Sequence, residues 1–181
     1  MSRRGGYTLM EILAVISILA VVLSTGFDQT SSFFAAQRVQ AEALTFIQDI
    51  RAGRYGALAD QMYHRFIVRG DGLAYRVQVY DNAGLTDVAN IDDAKTNYNS
   101  TVWASILDAE EREFDPSVTV VFPNTLRVFF LRPDGMLVDS PTVNGAPLGD
   151  NLATFTYEGV TLQVNFNAMG VAASTEYYED Y

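Results

Sequence analysis

The chain has 181 residues, 49% of them hydrophobic and 19% charged, with a formal net charge of −10. This composition excludes a disordered chain and a multi-span membrane protein, and one domain with an appended segment is the default at this length. With no cysteine and one histidine, disulfides, thiolate metal sites and cysteine nucleophiles are excluded and a zinc site has little to draw on; so acidic a chain also suits nucleic-acid phosphates poorly.

The charge is uneven. Arg3 and Arg4 precede any acid, and the first acid is Glu11. Six arginines face four acids between Arg38 and Arg76, whereas from Val77 onward four basic residues face sixteen acidic ones, a balance of 4 − 16 = −12. The acidic part reads as a solvated surface, with divalent-cation binding as the alternative.

Leu9 to Leu23 is apolar except for Glu11 and Ser17. Extended to Tyr7–Phe27 it has the ~20 residues a helix needs to cross a hydrocarbon core. The two arginines before it keep the N-terminus inside and send the rest outward. A secretory signal peptide with Ile12–Leu23 as its apolar core and Ser24, Thr25 and Gly26 as its cleavage region fits the same pattern, as does a plain signal anchor. Glu11 separates these readings. A membrane carboxylate costs up to about 3 kcal/mol at the bilayer centre, and an ordinary signal peptide or anchor has no use for it.

The string Gly6-Tyr7-Thr8-Leu9-Met10-Glu11 behind a short basic leader resembles the class III leader of type IV pilins and pseudopilins. That pattern is glycine, an aromatic, Thr, Leu, any residue and Glu, with Tyr7 standing where phenylalanine is usual. The resemblance implies cleavage after Gly6 by a prepilin peptidase, methylation of the new N-terminus at Tyr7, and Glu11 as the conspicuous acid of the processed chain. Glu11 lies one helical turn from the Tyr7 amine, and a carboxylate buried among packed helices needs a partner. The expected assembly charge pair is therefore Glu11 of one subunit with the Tyr7 amine of a neighbour. The bland alternative is an incidental acid at the edge of a signal sequence.

Gly26 and the stretch Asp28–Ser32 are expected to loosen the helix near the membrane exit. From Phe33 the pattern becomes amphipathic: Val39, Ala43, Phe46 or Ile47, Ile50, Ala57 or Leu58, and Met62 recur at steps of three and four. The stripe is expected to face a globular domain. Gly53 and Gly56 within it mark either fraying or close approach of another element.

After Met62 the period becomes two. Arg65–Arg69 and Leu73–Tyr80 flank Gly70-Asp71-Gly72, a hairpin signal, with Leu73, Tyr75, Val77 and Val79 on one face. Val118–Phe122 and Leu126–Leu131 form a second candidate pair around Pro123-Asn124. Phe155 and Tyr157 precede Glu158-Gly159, after which Val160, Leu162, Val164 and Phe166 alternate with polar residues. The expectation is a sheet with one buried and one wet face, covered by the helix stripe. The polar stretch Asp81–Thr101 is long enough for a functional or mobile loop. Tyr177–Tyr181 reads as a frayed, solvated terminus.

The expected fold class is α+β, a long N-terminal helix packed on an antiparallel β-sheet domain. Its parts are a leader (1–6), a membrane or filament-core helix (7–27), an amphipathic continuation (28–62) and a β-rich domain (63–181). Within the pilin superfamily, Phe129–Gly135 resembles the strand-and-turn of the H-type minor pseudopilins of type II secretion and their minor type IV pilin relatives, and Asn165–Val171 their closing strand. Gln37–Asp60 resembles their second half-helix. Asp28 stands where major subunits commonly carry proline, and the C-terminal cysteine pair of many pilins is missing, which favours a minor or pseudopilin component. The resemblance implies a non-enzymatic assembly subunit, held in the inner membrane with its domain in the periplasm and then built into a pseudopilus. Its implied partners are other pilin or pseudopilin subunits, the prepilin peptidase and inner-membrane lipid, with no nucleic acid. A minor type IV pilin is one alternative; a soluble secreted β-rich binding domain behind a signal peptide is another.

Other chemistry has little support. His64 has Asp60 four residues before it, but nothing marks a nucleophile, so a structural histidine at the helix–strand junction is expected. Asp81, Asn82, Asp87, Asn90, Asp92 and Asp93 hold enough oxygen for calcium without EF-hand spacing. No cofactor or metal is expected; calcium remains the alternative.

Overall fold

The computed structural model describes residues 9–80, 94–99, 103–107, 110–122, 127–141, 145–149, 151–172 and 177–179, with side chains except at 25–29, 151, 171–172 and 177–179. One helix, α1 (Leu9–Asp60), runs for 52 residues. It stays helical through Gly26 and residues 28–32, where loosening was expected. No proline interrupts it; a glycine or serine costs at most about 1 kcal/mol, too little to break the cooperative ladder joining two long helical segments. Gln61 ends it in the left-handed region (φ 56°), its side-chain amide donating to the Leu58 carbonyl at 2.7 Å.

The β-rich part forms two antiparallel sheets rather than one. The first contains β1 (His64–Val68), β2 (Ala74–Tyr80), β3 (Trp103–Ser105), β4 (Arg112–Glu113), β6 (Val128–Leu131) and β7 (Leu137–Val138). Its order is β3-β2-β1-β6-β7, with β4 also on β2. The second contains β5 (Thr119–Val121), β8 (Asn151–Tyr157), β9 (Val160–Asn167), β10 (Gly170–Ala172) and β11 (Tyr177–Glu179). Its order is β10-β9-β8-β5, with β11 also on β9.

The hairpins around Gly70–Gly72 and Glu158-Gly159 form, pairing β1 with β2 and β8 with β9. The expected pairing of Val118–Phe122 with Leu126–Leu131 does not. β5 joins β8, and β6 lies between β1 and β7. Burial explains the division: Phe129, Phe130 and Leu131 are buried on both faces, which requires a central strand, whereas Thr119 and Val121 are exposed and suit an edge. The C-terminal Tyr177–Glu179 was expected to fray, yet its backbone pairs with Leu162–Val160 of β9.

The helix stripe enters the groove between the sheets. Ala35, Val39, Ala43, Phe46, Ile47, Ile50 and Ala57 are buried, while Leu58 and Met62 are exposed. β9 alternates buried and half-exposed as expected. The first sheet does not, because its outer face is also covered. There Arg65, fully buried, donates to Gln78 Oε1 and the Ala94 carbonyl, both at 2.9 Å. Its guanidinium lies 4.7 Å from the Trp103 ring centre, with Tyr80, Phe130 and Val138 beside it. Residues 94–99, within the stretch expected to be a functional or mobile loop, thus pack on a sheet; 81–93, 100 and 101 lie outside the described residues.

Gly53 and Gly56 mark close approach. A Cβ on Gly53 would sit 2.8 Å from Val77 Cγ1 and 2.9 Å from Leu131 Cδ1; on Gly56 it would meet His64 Cε1 at 2.5 Å. His64 is fully buried at the start of β1, its Nε2 3.5 Å from the exposed Asp60 carboxylate. Burial lowers its pKa, outweighing the opposing pull of Asp60.

Gly53→Ala is expected to lower stability by about 1–3 kcal/mol through overpacking, despite the ~1 kcal/mol that alanine contributes to a helix interior. Urea unfolding checks this, with Gly70→Ala, which meets nothing within 4 Å, as a near-neutral reference. Because His64 binds its proton more weakly folded than unfolded, its contribution is present above the unfolded value of about 6.5 and is lost as pH falls below it. His64→Gln should flatten that part of the stability–pH curve.

Candidate functional site

The first half of α1 is the candidate site. Leu9, Met10, Ile12, Leu13, Val15, Ile16, Ile18, Leu19, Val21, Val22 and Leu23 are each at least 51% exposed, and they lie on every side of the helix. A helix apolar all round belongs in a protein core or a membrane, not in water. Its two described serines are satisfied internally: Ser17 donates to the Leu13 carbonyl at 2.8 Å and Ser24 to that of Val21 at 2.9 Å. That arrangement lets polar side chains sit in an apolar medium without an orphaned donor.

Among the described residues no helix is long and apolar enough by itself to cross a membrane. The expected span of 7–27 extends past the described side chains at both ends. Glu11 lies in the first turn of α1 and is exposed. Gly6 and Tyr7, the expected cleavage and methylation positions, lie outside the described residues, so the Glu11–Tyr7 geometry is not defined. The oxygen-bearing residues from Asp81 to Asp93 also lie outside them. Among the described residues no group of three or more His, Asp or Glu side chains converges on a metal position.

The second half of α1 carries the domain through contacts that the sequence pattern missed. Asp49, buried on the apolar stripe, accepts hydrogen bonds from the Tyr75 hydroxyl (2.7 Å) and Arg112 Nε (3.1 Å). Burial, followed by the Asp49 carboxylate, raises the Tyr75 pKa and keeps the phenol protonated. Glu42, one heptad earlier, accepts from the Asp115 backbone N–H at 3.2 Å and has its pKa raised mainly by burial. Arg54 donates to the Gly135 carbonyl at 2.8 Å, docking the Pro133-Asp134-Gly135 turn on the last turns of the helix. The signal was present: Glu42 and Asp49 interrupt an apolar stripe seven residues apart, where only a partnered acid is tolerated.

Residues 1–27 match the prokaryotic N-terminal methylation motif. The motif's reach is short, and it ends before the amphipathic half of α1 begins. No curated protein sequence matches the chain. Among solved structures, the minor pseudopilin EpsH from the type 2 secretion system of Vibrio cholerae is similar, with 11% identity and a TM-score of 0.49. That alignment covers 77% of this chain and 99% of that one.

A charge at the middle of the apolar run tests its environment. Leu19→Arg should cost about 2.5–3.5 kcal/mol of insertion free energy. The expected result is a large fall in the fraction of protein that resists alkaline carbonate extraction from membranes.

Proposed function

We propose that this chain is a non-enzymatic structural subunit, a minor pseudopilin of a type II secretion pseudopilus. It is held in the inner membrane by residues 7–27, with its β domain in the periplasm. A prepilin peptidase cleaves after Gly6 and methylates Tyr7, and the processed subunit then leaves the bilayer for the filament. The observation that carries this reading is one unbroken helix. Its exposed apolar half bears the methylation motif, and its other half is embedded in a folded β domain.

Such a helix has two apolar destinations, lipid before assembly and neighbouring helices after it. Glu11 is what distinguishes them. In lipid the carboxylate stays near the cytoplasmic face, where water solvates it. Among packed helices it requires a cation, and the α-amine of a neighbour's Tyr7 supplies one at a fixed axial offset. The charge pair therefore makes one stacking register better than its slipped alternatives. The resemblance of Phe129–Gly135 to H-type subunits supports the pseudopilus, and Asp28 with the absence of cysteine supports a minor or pseudopilin component; a minor pilin of a surface pilus would use the same helix and glutamate.

The mature protein is expected to begin with N-methylated Tyr7 by mass spectrometry; a start between Thr25 and Phe27 would establish a secreted domain instead. Glu11→Ala should leave cleavage largely intact while removing the subunit from isolated filaments. Normal incorporation of that variant would overturn the charge-pair role.

A further inference from the structure

The β domain covers one side of α1 and leaves a second stripe bare. Phe33, Gln37, Gln40, Leu44 and Gln48 follow one another at helical steps of three and four, and all are exposed. Tyr55 and Leu58 continue the line, which is turned roughly 120° about the axis from the buried stripe. Its four apolar members, Phe33, Leu44, Tyr55 and Leu58, are 38–69% exposed. From Phe33 to Gln48 the stripe carries no charge, in a chain whose net charge is −10, and Arg51 is the first charge on it. At its middle, Gln37, Gln40, Ala41 and Leu44 line a hollow of about 260 Å³. These stand at i, i+3, i+4 and i+7 of one helix, and four residues so placed form the hole that takes a side-chain knob from a facing helix. The small side chain of Ala41 allows close approach there.

We infer that this stripe seats the apolar helix half of a neighbouring subunit, lying parallel to it and displaced along the filament. The inference rests on the pseudopilin reading above and names the partner surface of its exposed helix. Three observations select a helix as the occupant. The hollow is made by helix residues alone, so it suits a side chain presented from another helix rather than a broad sheet face. The stripe is uncharged from Phe33 to Gln48, and so is Ile12–Leu23; an acidic β surface laid there would bury carboxylates with no cation opposite. The lengths also agree. The 16 uncharged positions accept all 12 residues of Ile12–Leu23 only at offsets from 33 − 12 = 21 to 48 − 23 = 25 residues, about 32–38 Å along the axis. The Glu11 pair joins positions about one turn apart and therefore engages a different neighbour. The two surfaces that meet on the stripe are unlike, one from each half of α1. Such a heterologous contact, repeated with an axial displacement, stays open and extends a filament instead of closing a ring.

The test is the photo-crosslinking residue p-benzoylphenylalanine placed at Leu44 of the full chain, in filaments isolated from cells that assemble them. Glu110, whose side chain is 81% exposed on the β domain, is the control position. Mass spectrometry of the illuminated filaments should join position 44 to the apolar N-terminal peptide of a neighbouring subunit, and position 110 should give no such product. Crosslinks from 44 to β-domain peptides alone, or none, in filaments that contain the subunit overturn the inference and leave the pseudopilin reading standing. Absence of the wild-type chain from filaments sinks that reading and the inference with it. Leu44→Glu should lower incorporation at least about tenfold, because the seam would bury a carboxylate without a partner, while leader cleavage and the urea midpoint stay as in the wild type. Leu44→Gln, neutral like Gln40 and Gln48, should assemble nearly as well as the wild type. Normal incorporation of Leu44→Glu, or an equal loss in Leu44→Gln, would overturn the role given to the uncharged stripe.

Discussion

Phe46 lies where the helix and both sheets meet. Its ring contacts Phe66 and Tyr75 of the first sheet, Phe155 and Phe166 of the second, and Phe122 after β5, with centroid separations of 5.4–6.1 Å. Two sheets that share no strand are thereby held to one helix through a common aromatic cluster. Aromatic pairs of this kind contribute about 0.5–1.5 kcal/mol each beyond area burial, and the ring is fully buried. Because Phe46 belongs to α1, the β domain is built on the helix rather than beside it.

That dependence explains the two glycines and the buried acid. Bringing sheet and helix close enough for Phe46 to reach both sheets forces the backbone near Gly53 and Gly56 against Val77, Leu131 and His64, where a methyl group has no room. The same proximity buries Asp49, which is tolerated because Tyr75 and Arg112 donate to it. A charge in this position makes the alignment of helix and sheet specific, since sliding either element leaves a buried carboxylate without donors.

The helix therefore transmits position. On the proposed function its N-terminal half takes its place from lipid or neighbouring helices, and the domain follows as a body fixed to the same continuous rod. A break near residue 28 would have uncoupled the two. The absence of proline there keeps the domain joined to the N-terminal half by continuous helix.

The sequence by itself determined the features that depend on near neighbours in the chain. The apolar run with its glutamate, the helix stripe through Val39, Ala43, Phe46 and Ile50, and the hairpins at Gly70–Gly72 and Glu158-Gly159 all follow from local periodicity and turn chemistry. Strand partners across the fold were not legible in the same way. Apolar content marks β5 and β6 as strands, but not which sheet each joins; that depends on which partner edges remain open once the rest has packed. The second buried face of the first sheet was hidden for a related reason, since Arg65 and Gln78 read as solvent-facing until Trp103 and Ala94 arrive over them. The bare stripe of α1 was hidden likewise: Leu44, Tyr55 and Leu58 recur at helical steps just as the buried stripe does, and only the packing of the sheets decides that they stay exposed.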